Sequence, residues 1–146
     1  MKVKKPLLLG AFKIDIVVNE MDQYDPLTQP NTEEWLGATE NERVSAVREY
    51  HEKSNEDLDE KALAIHSAIH VIVETQLAIG VELLPETMAK LIRQGLNRHE
   101  AIHAIGAIIS GDILAIIRGE KTESSPKQYR KKFEKITAKR WRKGQY

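Results

Sequence analysis

Residues 97–119 read NRHEAIHAIGAIISGDILAIIRG, and this stretch decides the fold that we predict for the chain. Asn97 is a typical N-cap residue for a helix over 97–118. Aliphatic side chains cover most of the helix circumference: Ile102, Ile105, Ile108, Ile109, Ile113, Leu114, Ile116 and Ile117. A helix that is apolar nearly all round is buried, either in the core of its own chain or by a partner chain. We therefore predict a buried partner surface and expect a homodimer.

Two glycines interrupt the bulk of this helix, Gly106 and Gly111. Glycine in a helix interior is less favourable than alanine by about 1 kcal/mol. We therefore expect another helix or a ligand to come close at these positions.

Four of the five histidines of the chain form two pairs. His99 and His103 belong to a His-Glu-x-x-His motif, and His66 and His70 form a second pair upstream, with Glu74 four residues further on. A step of four residues places two side chains on one face of a helix. Each pair therefore presents two imidazoles on the same side of its helix.

A transition metal would explain why two such pairs occur in one chain. If the two helices pack side by side, four imidazole nitrogens at about 2.0–2.1 Å would make a tetrahedral zinc site. Iron and nickel also suit imidazole and carboxylate ligands. The alternative is that each histidine is a core residue satisfied by a hydrogen bond, but burying four imidazoles without a shared purpose is costly. We predict a metal site, with zinc first, from His66, His70, Glu74, His99 and His103.

Glu100 has two competing roles in this scheme. In a metal-dependent hydrolase it would act as a catalytic general base on metal-bound water. As the third residue after Asn97, it would instead close a capping box, and this structural role is the one that we favour. Hydrolysis also needs an open coordination position, whereas four histidines on one metal would close the site. A di-iron version built on Glu100 and His103 would require a dimer, because one chain supplies only one Glu-x-x-His motif.

Capping signals and apolar stripes predict an all-α fold, a compact helical bundle of about five helices with a short extended N-terminal arm and a basic C-terminal helix. The predicted helices span 40–52, 56–79, 85–95, 97–118 and 126–142. The corresponding organisation is an extended arm and linker over 1–31, a helical metal-site core over 32–120 and a basic amphipathic helix within 121–146.

Three local features complete these predictions. Residues 7–18 are rich in β-branched side chains and favour a short strand, which needs a partner. Thr32 is expected to cap a single turn that carries Trp35. His51 falls at the end of the helix over 40–52, where an imidazole favours the helix dipole, and we assign it no further role.

Charge is distributed unevenly along a chain whose net charge is zero. Residues 19–60 hold thirteen acidic and three basic side chains, and residues 121–146 hold ten basic and two acidic ones. The basic segment is interleaved with aromatic residues, so residues 126–146 are a candidate for binding nucleic acid through phosphates and stacking. The alternative that we favour is a solvated helix that docks its aromatic side on the acidic segment.

The composition excludes several classes of protein. Because the chain has no cysteine, it has neither disulfides nor thiolate metal sites. The apolar patch near the N-terminus is shorter than the core of a secretion signal, and no uncharged apolar run is long enough to span a membrane. We expect a cytoplasmic bacterial protein without a membrane partner.

Parts of the chain resemble a bacterial family of small uncharacterised proteins that is classed as a domain of unknown function. The resemblance lies in Trp35-Leu36, in the segment from Glu40 to His51, in Ile65 to Ala78 and in Gly95 to Gly106, and it covers roughly residues 33–118. It implies that the spacing of the two histidine pairs is a family pattern. It implies no activity.

Overall fold

Helices dominate the computed structural model, which describes residues 2–19, 21, 23–54, 56–121 and 125–146. Within these residues the helices are α1 (Thr32–Gly37), α2 (Glu40–Lys53), α3 (Glu60–Ala78), α4 (Leu84–Arg93), α5 (Arg98–Ile117), α6 (Pro126–Lys135) and α7 (Ala138–Arg142). The predicted all-α class is confirmed, and five of these helices have seven or more residues. Among the described residues, no helix combines the length and apolar character needed to cross a bilayer.

The N-terminal arm is extended, as predicted, but its partner lies within the same arm. Strand β1 (Lys2–Leu9) pairs antiparallel with β2 (Phe12–Asn19), with Leu9 opposite Phe12. Gly10 lies in the intervening turn at φ +61, a left-handed conformation that glycine adopts without steric strain. The predicted single strand over 7–18 is therefore a two-stranded hairpin.

The helix starts follow local capping chemistry, although one predicted cap and one predicted helix start are wrong. Thr39 and Glu42 form the predicted capping box of α2. The cap of α1 is Asn31 instead of Thr32, because its side chain accepts a hydrogen bond from Glu34 N. Helix α3 begins at Glu60 instead of residue 56, because Asp59 Oδ1 accepts a 2.7 Å hydrogen bond from Ala62 N.

The basic C-terminal segment forms two helices where we predicted one over 126–142. Ser125 and Gln128 make the predicted capping box at the start of α6. The chain then leaves the helical conformation at Ile136, whose side chain is buried in the core, and the Thr137 side chain caps α7. The burial of Ile136 at this corner accounts for the break.

The aromatic side of α6 docks on the helical core, not on the acidic residues 19–60 as predicted. Phe133 and Ile136 belong to the main apolar cluster, and Tyr129 packs against it. Lys90 of α4 donates hydrogen bonds to the carbonyl oxygens of Phe133 (2.9 Å) and Glu134 (3.1 Å). Apolar burial thus decides where the segment lies, because it outweighs the attraction of exposed charges.

Helix α5 is the centre of the main apolar cluster, which joins it to α3, α4, α6 and α7. Its buried members on α5 are Ala101, Ile102, Ala104, Ile105, Ile108 and Ile109. Burial inside its own chain was one of the two predicted solutions for this helix. The homodimer stays a prediction.

A close approach of α3 and α5 occurs at Gly106. A Cβ atom built on Gly106 would lie 2.6 Å from Ile69 Cγ2, closer than two carbon atoms can pack. The same construction on Gly111 meets no atom of the described residues within 4 Å. The prediction of a close neighbour is confirmed at Gly106, and it stays a prediction at Gly111.

Candidate metal centre

All five histidines of the chain converge on one site where α2, α3 and α5 meet. Helix α2 supplies His51, α3 supplies His66 and His70, and α5 supplies His99 and His103. Neighbouring ring centroids lie between 4.3 Å, for His99 and His103, and 5.8 Å, for His51 and His99. The two predicted pairs do face each other across α3 and α5.

Four of these imidazoles form a compact group. Their ligand nitrogens all lie within 4.8 Å of one another, and the four residues are His51, His66, His70 and His99. Such a group could hold a metal ion. His103 is adjacent, since its Nε2 lies 3.0 Å from His70 Nε2.

His51 is the member that the sequence analysis missed. We assigned it only to the helix dipole, but its side chain is 1% exposed, and its ring lies 4.5 Å from that of His66 and 4.6 Å from that of His70. Its Nδ1 lies 2.8 Å from the carbonyl oxygen of Val47. Because a carbonyl only accepts, Nδ1 carries a proton, and in the neutral tautomer this leaves Nε2 with its lone pair. His66 Nε2, 3.0 Å away, must then donate to His51 Nε2.

Glu74 lies beside the histidine group, not within it. Arg98 donates to both of its carboxylate oxygens, at 2.8 Å and 2.7 Å. Tyr24 OH donates to Oε1 at 2.8 Å and lies 3.0 Å from His70 Nδ1. The predicted ligand role of Glu74 is thus replaced by an ion pair with Arg98, which neutralises a charge in a side chain that is 2% exposed.

One buried nitrogen of the site is left without a partner. Among the described residues, His99 Nε2 is inaccessible to solvent and makes no hydrogen bond. An unpaired buried polar atom is unfavourable by about 1–3 kcal/mol, so native structures rarely leave one without a reason. A metal ion would supply the missing partner.

Burial and the neighbouring imidazoles favour the neutral form of four of these side chains, His66, His70, His99 and His103. Desolvation, followed by the neighbouring imidazoles, lowers the pKa of His103 to about 4. The same causes lower the pKa of His70 further. Burial also lowers the pKa values of His66 and His99. Neutral imidazole is the form that binds metals, so these side chains need not lose protons to accept an ion at pH 7.

Glu100 occupies the structural role that we favoured. Its Oε2 accepts a 2.8 Å hydrogen bond from Asn97 N, while Glu100 N donates to Asn97 Oδ1 at 2.8 Å. The two residues therefore form a reciprocal capping box on the exposed side of α5. The catalytic role of Glu100 stays a prediction.

No protein-family model, no curated protein and no solved structure matches this chain. The resemblance to a small bacterial family therefore stays a prediction, and only the histidine group indicates a function.

Proposed function

We propose that the protein binds one transition-metal ion through His51, His66, His70 and His99, with zinc as the first candidate. The observation that carries this proposal is the convergence of four imidazoles from three helices, with their ligand nitrogens all within 4.8 Å of one another. A histidine that fills a core for packing alone has no reason to meet four others. The unpartnered nitrogen of His99 supports the same conclusion.

The spacing of the nitrogens suits a tetrahedral site after a small contraction. Zn–N bonds of about 2.0–2.1 Å place tetrahedral ligand atoms about 3.4 Å apart. The His51–His66 nitrogen pair, at 3.0 Å, is already closer than this. Other separations in the group reach up to 4.8 Å, so ring rotations must bring these nitrogens inward. Iron or nickel would accept the same donors, and metal analysis distinguishes them.

The number of bound imidazoles decides between a structural site and a hydrolase. Four histidines on one ion leave no position for water, which favours a structural metal. A metal-dependent hydrolase would require one of them, for example His66, to stay unbound. Binding of Co²⁺ separates these cases, because its visible spectrum differs between four-coordinate and higher-coordinate sites.

Metal content of untagged protein tests the proposal. After loading with Zn²⁺ and removal of unbound ions, we expect one equivalent per chain by elemental analysis. His51→Ala and His70→Ala should each lower the bound metal strongly. Ser67→Ala is the matched control, since Ser67 is buried on α3 between two of the ligands but offers no imidazole. A wild-type protein that retains no zinc, or histidine variants that retain as much as Ser67→Ala, would contradict the proposal.

A further inference from the structure

A line of hydrogen bonds runs from Arg98 to one histidine of the candidate centre. Arg98 pairs with Glu74, Glu74 accepts from Tyr24 OH, and Tyr24 OH contacts His70 Nδ1. These contacts lie away from water: Tyr24 is 4% exposed and His70 is fully buried. The line joins a segment without regular secondary structure to two helices.

Counting protons fixes the direction of each hydrogen bond. Both oxygens of Glu74 already accept from Arg98, so the carboxylate acts only as an acceptor. Tyr24 has a single hydroxyl proton, and at 2.8 Å from Glu74 Oε1 that proton must lie between the two oxygens. The hydroxyl oxygen then accepts from His70 Nδ1–H, 3.0 Å away. His70 therefore carries its proton on Nδ1 and its lone pair on Nε2.

We infer that Tyr24 is a positioning residue of the metal centre, an inference that rests on the proposed function. Its hydroxyl holds His70 in the Nδ1–H tautomer, so that Nε2 is presented to the ion. Histidine ligands commonly donate their other N–H to a carboxylate or a carbonyl, which fixes tautomer and ring orientation. Here the Tyr24 hydroxyl lies between His70 and the Glu74 carboxylate, so the carboxylate orients the histidine through the tyrosine.

The ion pair that orients Tyr24 also holds the surrounding backbone. Arg98 donates to the carbonyl oxygens of Pro26 (3.0 Å) and Thr28 (3.4 Å), in the segment that carries Tyr24. Arg98 is also the residue before His99, at the first turn of α5. One guanidinium therefore keeps Tyr24 in place while anchoring the turn that supplies another ligand.

Tyr24→Phe removes the hydroxyl and keeps the ring, which packs 5.9 Å from Trp35 and 6.1 Å from His70. We expect zinc affinity, measured by competition with a chromophoric chelator, to fall by about 10–100-fold. Tyr50→Phe is the control, because the Tyr50 ring also packs against cluster histidines, at 5.2 Å from His51. We expect it to bind zinc as wild type does. Equal affinities for the two variants would overturn the role of Tyr24, whereas a wild type that binds no zinc would overturn the proposed function instead.

The tautomer of His70 provides a second test that needs no metal. In metal-free wild type, ¹⁵N NMR of the imidazoles should show a protonated Nδ1 and an unprotonated Nε2 at His70. Tyr24→Phe should shift His70 towards the Nε2–H form, while Tyr50→Phe should not. A loss of packing alone would not exchange the two nitrogens. A wild-type His70 that is protonated on Nε2 would refute the inference even if Tyr24→Phe weakened binding.

Discussion

Gly106→Ala tests whether the contact between α3 and α5 sets the geometry of the histidine group. An alanine in an open helix position would stabilise the folded state by about 1 kcal/mol relative to glycine. At Gly106 the new methyl group would lie 2.6 Å from Ile69 Cγ2, on a β-branched side chain that cannot rotate freely. Overpacking of this kind destabilises by about 1–3 kcal/mol. The two effects together predict a net loss of about 1 kcal/mol.

Gly111→Ala provides the matched control, because it makes the same change in the same helix. Since none of the residues that the structure describes lies within 4 Å of the added Cβ, only the helix propensity remains, and we expect a gain approaching 1 kcal/mol. Denaturant unfolding of metal-free protein measures both variants. In the zinc titration, Gly106→Ala should bind zinc more weakly, because restoring the approach of the two helices takes up part of the binding free energy. Each 1.4 kcal/mol taken up in this way weakens zinc affinity tenfold. Equal stabilisation by the two substitutions would refute the close approach, and unchanged zinc affinity in Gly106→Ala would refute its importance for the site.

Three further predictions concern pH, Glu100 and the basic segment. Between pH 6.5 and about 4, His103 is protonated in the unfolded chain but not in the folded protein. The free energy of unfolding of the metal-free protein should therefore decrease as the pH falls through this window. The loss from His103 cannot exceed about 1.4 kcal/mol per pH unit, because a single proton is involved, and partial exposure of the side chain reduces it further. A His103→Gln variant with the same pH profile would argue against this contribution. Glu100→Gln should keep the metal and lose at most about 0.5 kcal/mol in thermal unfolding, since Gln also closes a capping box; lost hydrolysis with retained metal would instead identify a general base. If residues 126–146 bind nucleic acid, affinity should fall steeply with added salt in a filter-binding assay, and salt-independent retention would exclude the electrostatic mode.

The parts of this fold that could be predicted from sequence are those decided within a few residues. The capping boxes at Thr39 and Ser125 depend on a side chain three positions away, and both are present. The facing of the two histidine pairs follows from helical spacing and from the burial of α5.

The parts that could not be predicted depend on residues distant in the chain. His51 looks like a favourable helix ending until α2 packs on α3 and brings its ring beside His66. Glu74 continues the ligand face of α3, but Arg98 from α5 takes both of its oxygens. Ile136 breaks a helix with strong local signals, because burying its side chain outweighs one more helical turn. In each case a tertiary contact overrides a local preference.

The distribution of the ligands over three helices has a consequence for folding kinetics. Forty-eight positions separate His51 from His99, so the four nitrogens assemble only after α2, α3 and α5 have docked. Interactions that form after the transition state slow unfolding and leave the folding rate almost unchanged. A bound ion would therefore mainly slow unfolding and lengthen the lifetime of the native state, with little effect on the rate of folding.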